Sequence, residues 1–231
     1  MGIPDNGEIW HMLDQRFGIP PTLIEFTTLH NRDLSAYNVI ILANGSPTEP
    51  LSPKALPKLK EWVENGGTLI TTGSAYKLTN KAKITDFKTL SQGKKKEKVE
   101  GNAHIEYKPY HNTAKAKSGI EGVIFNCHLD ITSPLGYGYE NPNVAIMKNG
   151  TTVMDFSQIK GNSPMQYTKQ PYLSGCVSLE NIKRISNAPA SIVSECGKGN
   201  VIWFADDLNY RSYWFGGTKI FMNAIYFGQL Y

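Results

Sequence analysis

The chain has 231 residues, 40% of them hydrophobic and 19% charged, a balance that supports a sizeable core and excludes disorder throughout. Its formal charge of +4 is concentrated in a lysine-rich run at residues 93–98, which favours a solvated loop over a nucleic-acid surface. No stretch approaches the ~20 apolar residues that span a bilayer, and the N-terminus lacks the features of a signal peptide. Cys127, Cys176 and Cys196 have no Cys-x-x-Cys spacing, which excludes a zinc knuckle but leaves one disulfide possible.

The first third of the chain alternates helix and strand signals. Residues 7–17 predict a helix, because Ile9, Trp10, Leu13 and Phe17 recur at helical spacing. A second helix is predicted from the capping Ser52 and Pro53 to Gly66. Short strands are predicted at residues 22–26, 39–43 and 68–71. Strands and helices in this order favour right-handed crossover units and a parallel sheet.

The remainder of the chain first departs from this pattern and then resumes it. Residues 80–118 are polar and rich in lysine, and predict an insertion with a hint of a strand at 105–107. Beyond it, short β-like runs form a β-rich excursion at residues 123–125, 144–147 and 152–156. The chain ends with a predicted hairpin and a largely apolar helix, at residues 190–193, 200–204 and 217–228.

Five segments of the sequence carry a family resemblance. They are GEIWHMLD at 7–14, WVENGGTLI at 62–70, LDITSPLGYGY at 129–139, FADDLNYRSYW at 204–214 and NAI at 223–225. Together they resemble the class I glutamine amidotransferase-like domain that follows the catalytic domain in bacterial secreted zinc carboxypeptidases of the carboxypeptidase A type. The resemblance implies an α/β, flavodoxin-like three-layer sandwich with a mostly parallel sheet and helices on both faces. A strand normally precedes the first helix in such domains, so we expect residues 1–231 to form one domain that lacks its first strand.

The resemblance also implies a function. It points to a non-catalytic accessory domain whose partner is its own upstream carboxypeptidase domain, located in the periplasm, the outer envelope or the extracellular space. Zinc is expected only in that catalytic domain, with no metal or cofactor in this chain, because none of the five histidines has the Glu three residues on that a carboxypeptidase zinc site needs. Two alternatives stay open: a stand-alone module that binds carbohydrate or peptide, and a cryptic Cys or Ser hydrolase.

The candidate nucleophiles are weak. Class I amidotransferases carry a cysteine on the sharp turn after a strand, and the resemblance places Gly73 at that position. Ser74 lies one residue later without a Gly-x-Ser-x-Gly frame, so we interpret its hydroxyl as a helix cap. Cys127 and His128 are adjacent, but neighbours on a strand point to opposite faces, which favours a buried Cys127 and an exposed His128.

Two groups remain as binding candidates. Asp206 and Asp207, with Arg211 nearby, follow a predicted strand and could hold a cation or a small polar ligand. The alternative is that the aspartates cap the turn and pair with Arg211. Tyr137 and Tyr139, in a Gly-Tyr-Gly-Tyr sequence, could stack on a sugar or peptide, or could simply pack around a turn.

Overall fold

A computed structural model describes residues 3–45, 52–90, 119–155, 157 and 162–231. The α-helices in these ranges are α1 Ile3–Trp10, α2 Ala55–Glu64, α3 Tyr76–Lys81, α4 Leu179–Ile185 and α5 Thr218–Phe227. The strands are β1 Val39–Leu42, β2 Thr68–Thr72, β3 Glu121–Leu129, β4 Asn143–Asn149, β5 Met165–Ser174, β6 Ser191–Cys196 and β7 Gly199–Phe204. None of the helices described is long and apolar enough to cross a membrane.

The central sheet has the strand order β1-β2-β7-β6. β1, β2 and β7 are parallel, and β6 joins β7 as the antiparallel arm of the predicted hairpin. Leu69 and Val201 pack with α2 on one face, whereas Ile70 and Ile202 belong to the cluster that includes α1 and α5 on the other. The predicted α/β architecture, with helices on both faces of a mostly parallel sheet, is therefore confirmed.

The β-rich excursion forms a second sheet, which is antiparallel and has the order β4-β3-β5. Just before β5, Asn162 bridges to Val193 on the β6 edge of the central sheet through backbone hydrogen bonds in both directions, at 3.0 and 2.8 Å. Phe125 and Tyr167 of the second sheet lie in the same hydrophobic cluster as Ile202 of the first. The two sheets therefore share one core.

The start of the chain differs most from prediction. The helix begins at Ile3 and continues as a π-helix over His11–Arg16, and it buries Met12 while Phe17 is exposed. The predicted strand at 22–26 is wrong: an irregular segment there leads into a 3-10 helix, Phe26–Asn31. Ile24 and Phe26 pack against the core while Leu23 is 72% exposed, and the segment does so without pairing with a strand.

Three further regions refine the predicted organisation. β1 is hydrogen-bonded directly to β2, so the sheet is continuous between them. In the predicted insertion, Ile84 and Phe87 are buried in the core, whereas residues 91–118, including the strand hint at 105–107, lie outside the described residues. The run at 152–156 contributes a single bridge, from Met154 to Thr89, and Phe156 is not among the described residues. β5 and α4 were not predicted.

Candidate functional site

The three parallel strands end at one edge of the central sheet, and this edge carries the candidate site. Asn44 follows β1, Gly73 follows β2, and Asp207 follows β7, while α1 brings Asp5 and Glu8 to the same place. A cavity of about 80 Å³ opens here, lined by Asp5, Asn44, Gly73, Asn149, Gly150, Thr152, Ala205 and Asp207. In open α/β sheets, ligands bind at the carboxyl ends of the strands, so this cavity has the expected position.

The turn after β2, where the family resemblance places a nucleophile, is filled by another side chain. Gly73 has a φ of +50°, a left-handed conformation that favours glycine. A Cβ on Gly73 would lie 2.5 Å from Asn44 Oδ1. The same oxygen accepts a hydrogen bond from the Ser74 backbone N–H at 2.8 Å. The Asn44 side chain thus fills the space that a side chain at position 73 would need. It also accepts the hydrogen bond of a backbone N–H in the turn.

Ser74 does not act as the predicted helix cap. Its hydroxyl donates to Asn44 Oδ1 at 2.8 Å and accepts from the Gly45 backbone N–H at 3.2 Å. These bonds tie the turn after β2 to the end of β1, and α3 begins only at Tyr76 after a short 3-10 turn. The hydroxyl therefore links two loops, and the capping interpretation was wrong because the adjacent Asn44 competes for it.

Three carboxylates, Asp5, Glu8 and Asp207, form what we call the acidic cluster. One oxygen from each lies within 4.8 Å of one from each of the others. Asp207 Oδ1 accepts the Asn209 backbone N–H at 3.2 Å, and Asp5 Oδ2 accepts the Asn44 amide at 3.3 Å. Glu8 Oε2 and Asp207 Oδ2 are buried without a hydrogen-bond donor among the described residues. No described Lys or Arg forms an ion pair with the cluster.

This lack of compensation shifts the protonation of the cluster. Burial, followed by the hydrogen bond and charge of Glu8, raises the pKa of Asp207 to about 8. Burial and the charge of Asp207 raise the pKa of Asp5. With a pKa of about 8, the carboxyl group of Asp207 holds a proton at neutral pH when nothing else is bound.

Asp206, the sequence neighbour of Asp207, has a different environment. Its Oδ1 forms an ion pair with Lys148 Nζ of β4 at 2.7 Å, and the Tyr167 hydroxyl of β5 donates to its Oδ2. Lys148, Tyr167 and Asp206 are all buried. The predicted partner Arg211 is instead exposed, with its guanidinium 5.2 Å from the centre of the Tyr210 ring. Pairing with Arg211 was therefore the wrong expectation, and Asp206 is a core residue.

Cys127 is buried on β3, and His128 is exposed on the opposite face, as the strand alternation predicts. Burial, reinforced by the negative charge of Asp206, raises the pKa of the Cys127 thiol well above its ordinary value. The thiolate that nucleophilic catalysis requires is thus disfavoured. Cys176 and Cys196 are also free thiols.

Tyr137 and Tyr139 both pack against α5. The Tyr137 ring, 39% exposed, meets Phe227 edge to face at a centroid distance of 5.5 Å. Lys219 Nζ lies 4.9 Å from the centre of the Tyr139 ring and donates to the Gly138 carbonyl. This arrangement matches tyrosines packed around a turn, and the binding of sugar or peptide by them stays a prediction.

The acidic cluster was missed by sequence reasoning apart from Asp207. Asp5 precedes the predicted start of the helix, and Glu8 lies within it. Once the helix is extended to Ile3, their spacing of three residues places them on one face, which is the signal that could have identified them. The sequence did not identify Lys148 as a buried partner of Asp206, because a lysine in a strand ordinarily indicates a solvent-facing position.

Known proteins resemble this chain in fold rather than in sequence. The sequence matches no protein-family model and no curated protein. Among solved structures, PurLQS from Thermotoga maritima is similar with a TM-score of 0.56 at 16% identity, over 94% of this chain and 90% of that one. A ThuA-like protein from Parabacteroides merdae has a TM-score of 0.59 at 12% identity, over 97% of this chain and 84% of that one. A GMP synthase-like protein from Thermoplasma acidophilum has a TM-score of 0.53 at 8% identity, over 95% of this chain and 86% of that one. These similarities show a glutamine amidotransferase-like fold.

Proposed function

We propose that this chain is a non-catalytic accessory domain that works beside the catalytic domain of a secreted zinc metallocarboxypeptidase. The turn after β2 supports the absence of catalysis by this chain. A nucleophile there would have to replace Gly73, and its Cβ would meet Asn44 Oδ1 at 2.5 Å. The Ser74 backbone N–H, a donor of the kind that stabilises an oxyanion, is already bound to the same oxygen.

The other potential nucleophiles support this proposal. Ser74 is engaged by Asn44 and Gly45, and the Cys127 thiol is buried with a raised pKa. In the described residues, the acidic cluster is the only group of His, Cys, Asp and Glu side chains with metal-like spacing, and it contains no histidine. A zinc peptidase centre would need the imidazole ligands that this group lacks. The donor set of this cluster supports the proposal that zinc is held in the upstream catalytic domain.

The proposed docking surface lies on two neighbouring segments, residues 16–17 and 212–215, of which the second overlaps the family resemblance. Arg16 joins them: its guanidinium donates to the Ser212 carbonyl and lies 4.2 Å from the centre of the Phe215 ring. Phe17, Tyr213 and Phe215 are exposed around this contact, and Phe215 is 67% exposed. Exposed aromatic residues grouped in this way are typical of protein interfaces, and we assign this surface to the catalytic domain.

Peptide hydrolysis tests the proposal. The isolated chain, the isolated catalytic domain and the two joined are each assayed with free and C-terminally blocked peptides, with and without zinc, and with free glutamine. We expect no turnover of any substrate by the isolated chain, and zinc-dependent carboxypeptidase activity wherever the catalytic domain is present. Glutamine hydrolysis or zinc-dependent peptidase activity by the isolated chain would contradict the proposal.

Association of the two domains tests the docking surface. Titration calorimetry with the isolated catalytic domain is expected to show binding that Phe215→Ala weakens by about tenfold or more. Tyr226→Ala is the matched control, because Tyr226 is also an exposed aromatic residue but lies on α5. If both variants bind like the unmodified chain, this surface is not the interface.

A further inference from the structure

We propose that the acidic cluster of Asp5, Glu8 and Asp207 binds a hard divalent cation such as Mg²⁺, Ca²⁺ or Mn²⁺. This inference is independent of the accessory-domain proposal, since it concerns only side chains at the edge of the central sheet. It departs from the expectation that the chain holds no metal. Three features of the site support it: the grouping of the ligands, the lack of a counter-charge among the described residues, and a cavity beside the carboxylates.

The three carboxylates are grouped closely enough to share one cation. One carboxylate oxygen from each residue lies within 4.8 Å of the others. Oxygen ligands bind Mg²⁺ at about 2.0–2.1 Å and Ca²⁺ at about 2.3–2.6 Å, so two ligands of one ion are at most about 4–5 Å apart. A single ion between the three oxygens can therefore contact all of them.

Among the described residues, no lysine or arginine compensates the charge of the cluster. Glu8 is 8% exposed, and its Oε2 is buried with no donor among the described residues. Lys148, the buried lysine of β4, is already paired with Asp206. Carboxylates without a counter-charge are costly in a protein interior, and a bound cation would supply that compensation.

The cavity next to the cluster provides room for the ion and its remaining ligands. Asp5 and Asp207 line it together with the amides of Asn44 and Asn149 and the hydroxyl of Thr152. Asn149 is exposed at the end of β4, which gives the cavity a route to solvent. The carboxylates, the Asn149 amide and the Thr152 hydroxyl offer oxygen, and the cluster includes neither sulfur nor imidazole, which favours Mg²⁺, Ca²⁺ or Mn²⁺ over Zn²⁺.

Calorimetry on the full chain tests the site directly. After treatment with EDTA and its removal, Mg²⁺, Ca²⁺ and Mn²⁺ are titrated in turn, and the melting temperature is followed at each concentration. We expect one ion per chain and a rise in melting temperature on binding. Glu8→Gln and Asp207→Asn should each weaken binding by about tenfold or more, whereas the exposed control Asp86→Asn should not.

A second measurement covers the case in which a variant fails to fold. Sub-stoichiometric Mn²⁺ should selectively broaden the backbone amide signals of Gly73, Gly150 and Asn209 in the unmodified chain, since paramagnetic broadening acts over short range. Broadening confined to other residues would overturn the proposal. So would the absence of heat, thermal shift and broadening at about 10 mM of each ion, well above the range of protein calcium sites.

Discussion

Asp206 and Asp207 are neighbours at the end of β7, yet their environments are opposite. Asp206 has a buried lysine at 2.7 Å and a tyrosine hydroxyl as partners, so its charge is compensated within the core. Asp207 faces two further carboxylates, and its pKa is raised to about 8. The difference arises from what packs on each side: β4 and β5 supply Lys148 and Tyr167, whereas α1 supplies Asp5 and Glu8.

This contrast separates a structural residue from a candidate functional one. A polar group that is fully satisfied in the core stabilises one arrangement of the two sheets and has no capacity left for a ligand. A group that stays unsatisfied at the edge of a cavity is the better candidate for binding, because a ligand relieves its cost. Of the two aspartates, Asp207 is therefore the one we assign to the site.

The largest expected effect comes from removing the partner of Asp206. Lys148→Met should lower the free energy of unfolding by about 3–5 kcal/mol, because it leaves a buried carboxylate without a counter-charge. Urea denaturation measures this loss. The control is Lys60→Met, which breaks the exposed pair of Lys60 and Glu64 on α2 and should lower the free energy of unfolding far less, because solvent screens that pair. Equal losses in the two variants would show that burial does not distinguish the pairs.

The second effect acts through Asn44, which touches both the acidic cluster and the turn after β2. Gly73→Ala should destabilise the fold by about 2–4 kcal/mol, since a Cβ would strain a φ of +50° and collide with Asn44. In an Asn44→Ala background the two closest contacts, with Asn44 Oδ1 and Cγ, are removed, so the same substitution should cost less. A double-mutant cycle in urea measures the coupling, and additive losses would contradict the packing described for this turn.

Much of the architecture could be predicted from the sequence. The buried runs that became β1, β2 and β7 and the apolar stripe of α2 are local patterns whose period identifies the element. β5 was missed because Pro171 interrupts its pattern, and α4 because seven residues are too few to show a period. The segment at 22–26 was misassigned because β-like composition does not guarantee a neighbouring strand.

The site could be predicted only in part, for a different reason. Asp207 was identified from its position after a strand, but its partners Asp5 and Glu8 lie about 200 positions away in the sequence. Likewise, the pairing of Asp206 with Lys148 depends on how the second sheet docks against the first. Arg211 was the nearest cation in sequence, and no local pattern could show that a residue of β4 would replace it.

The pH dependence of stability gives the third effect. Between the ordinary Asp pKa of 3.8 and about 8, the folded protein binds a proton at Asp207 that the unfolded chain releases, so stability should fall as pH rises. In EDTA we expect a loss of about 1–2 kcal/mol between about pH 6 and pH 8, with Glu8 and Asp5 as the facing charges. Asp207→Asn should flatten this slope, and Asp86→Asn should retain it. If Asp207→Asn leaves the slope of stability against pH unchanged, another titrating group causes the pH dependence.

The smallest effect is expected at Arg211, the partner that sequence position suggested for the aspartates. Its side chain is exposed and lies over Tyr210, so Arg211→Ala should change the free energy of unfolding by less than about 0.5 kcal/mol. Urea denaturation of Arg211→Ala and Lys148→Met under the same conditions compares the two losses of unfolding free energy. A loss as large as that of Lys148→Met would mean that Arg211 compensates Asp206 after all.

The most direct test compares Asp206→Asn with Asp207→Asn by urea denaturation at about pH 8 in EDTA. We predict effects of opposite sign. Asp206→Asn should destabilise the fold by about 3–5 kcal/mol, because Lys148 loses its counter-charge, whereas Asp207→Asn should stabilise it by about 1 kcal/mol, because repulsion within the acidic cluster is relieved. Losses of similar size in both variants would contradict the assignment of one aspartate to the core and the other to the site.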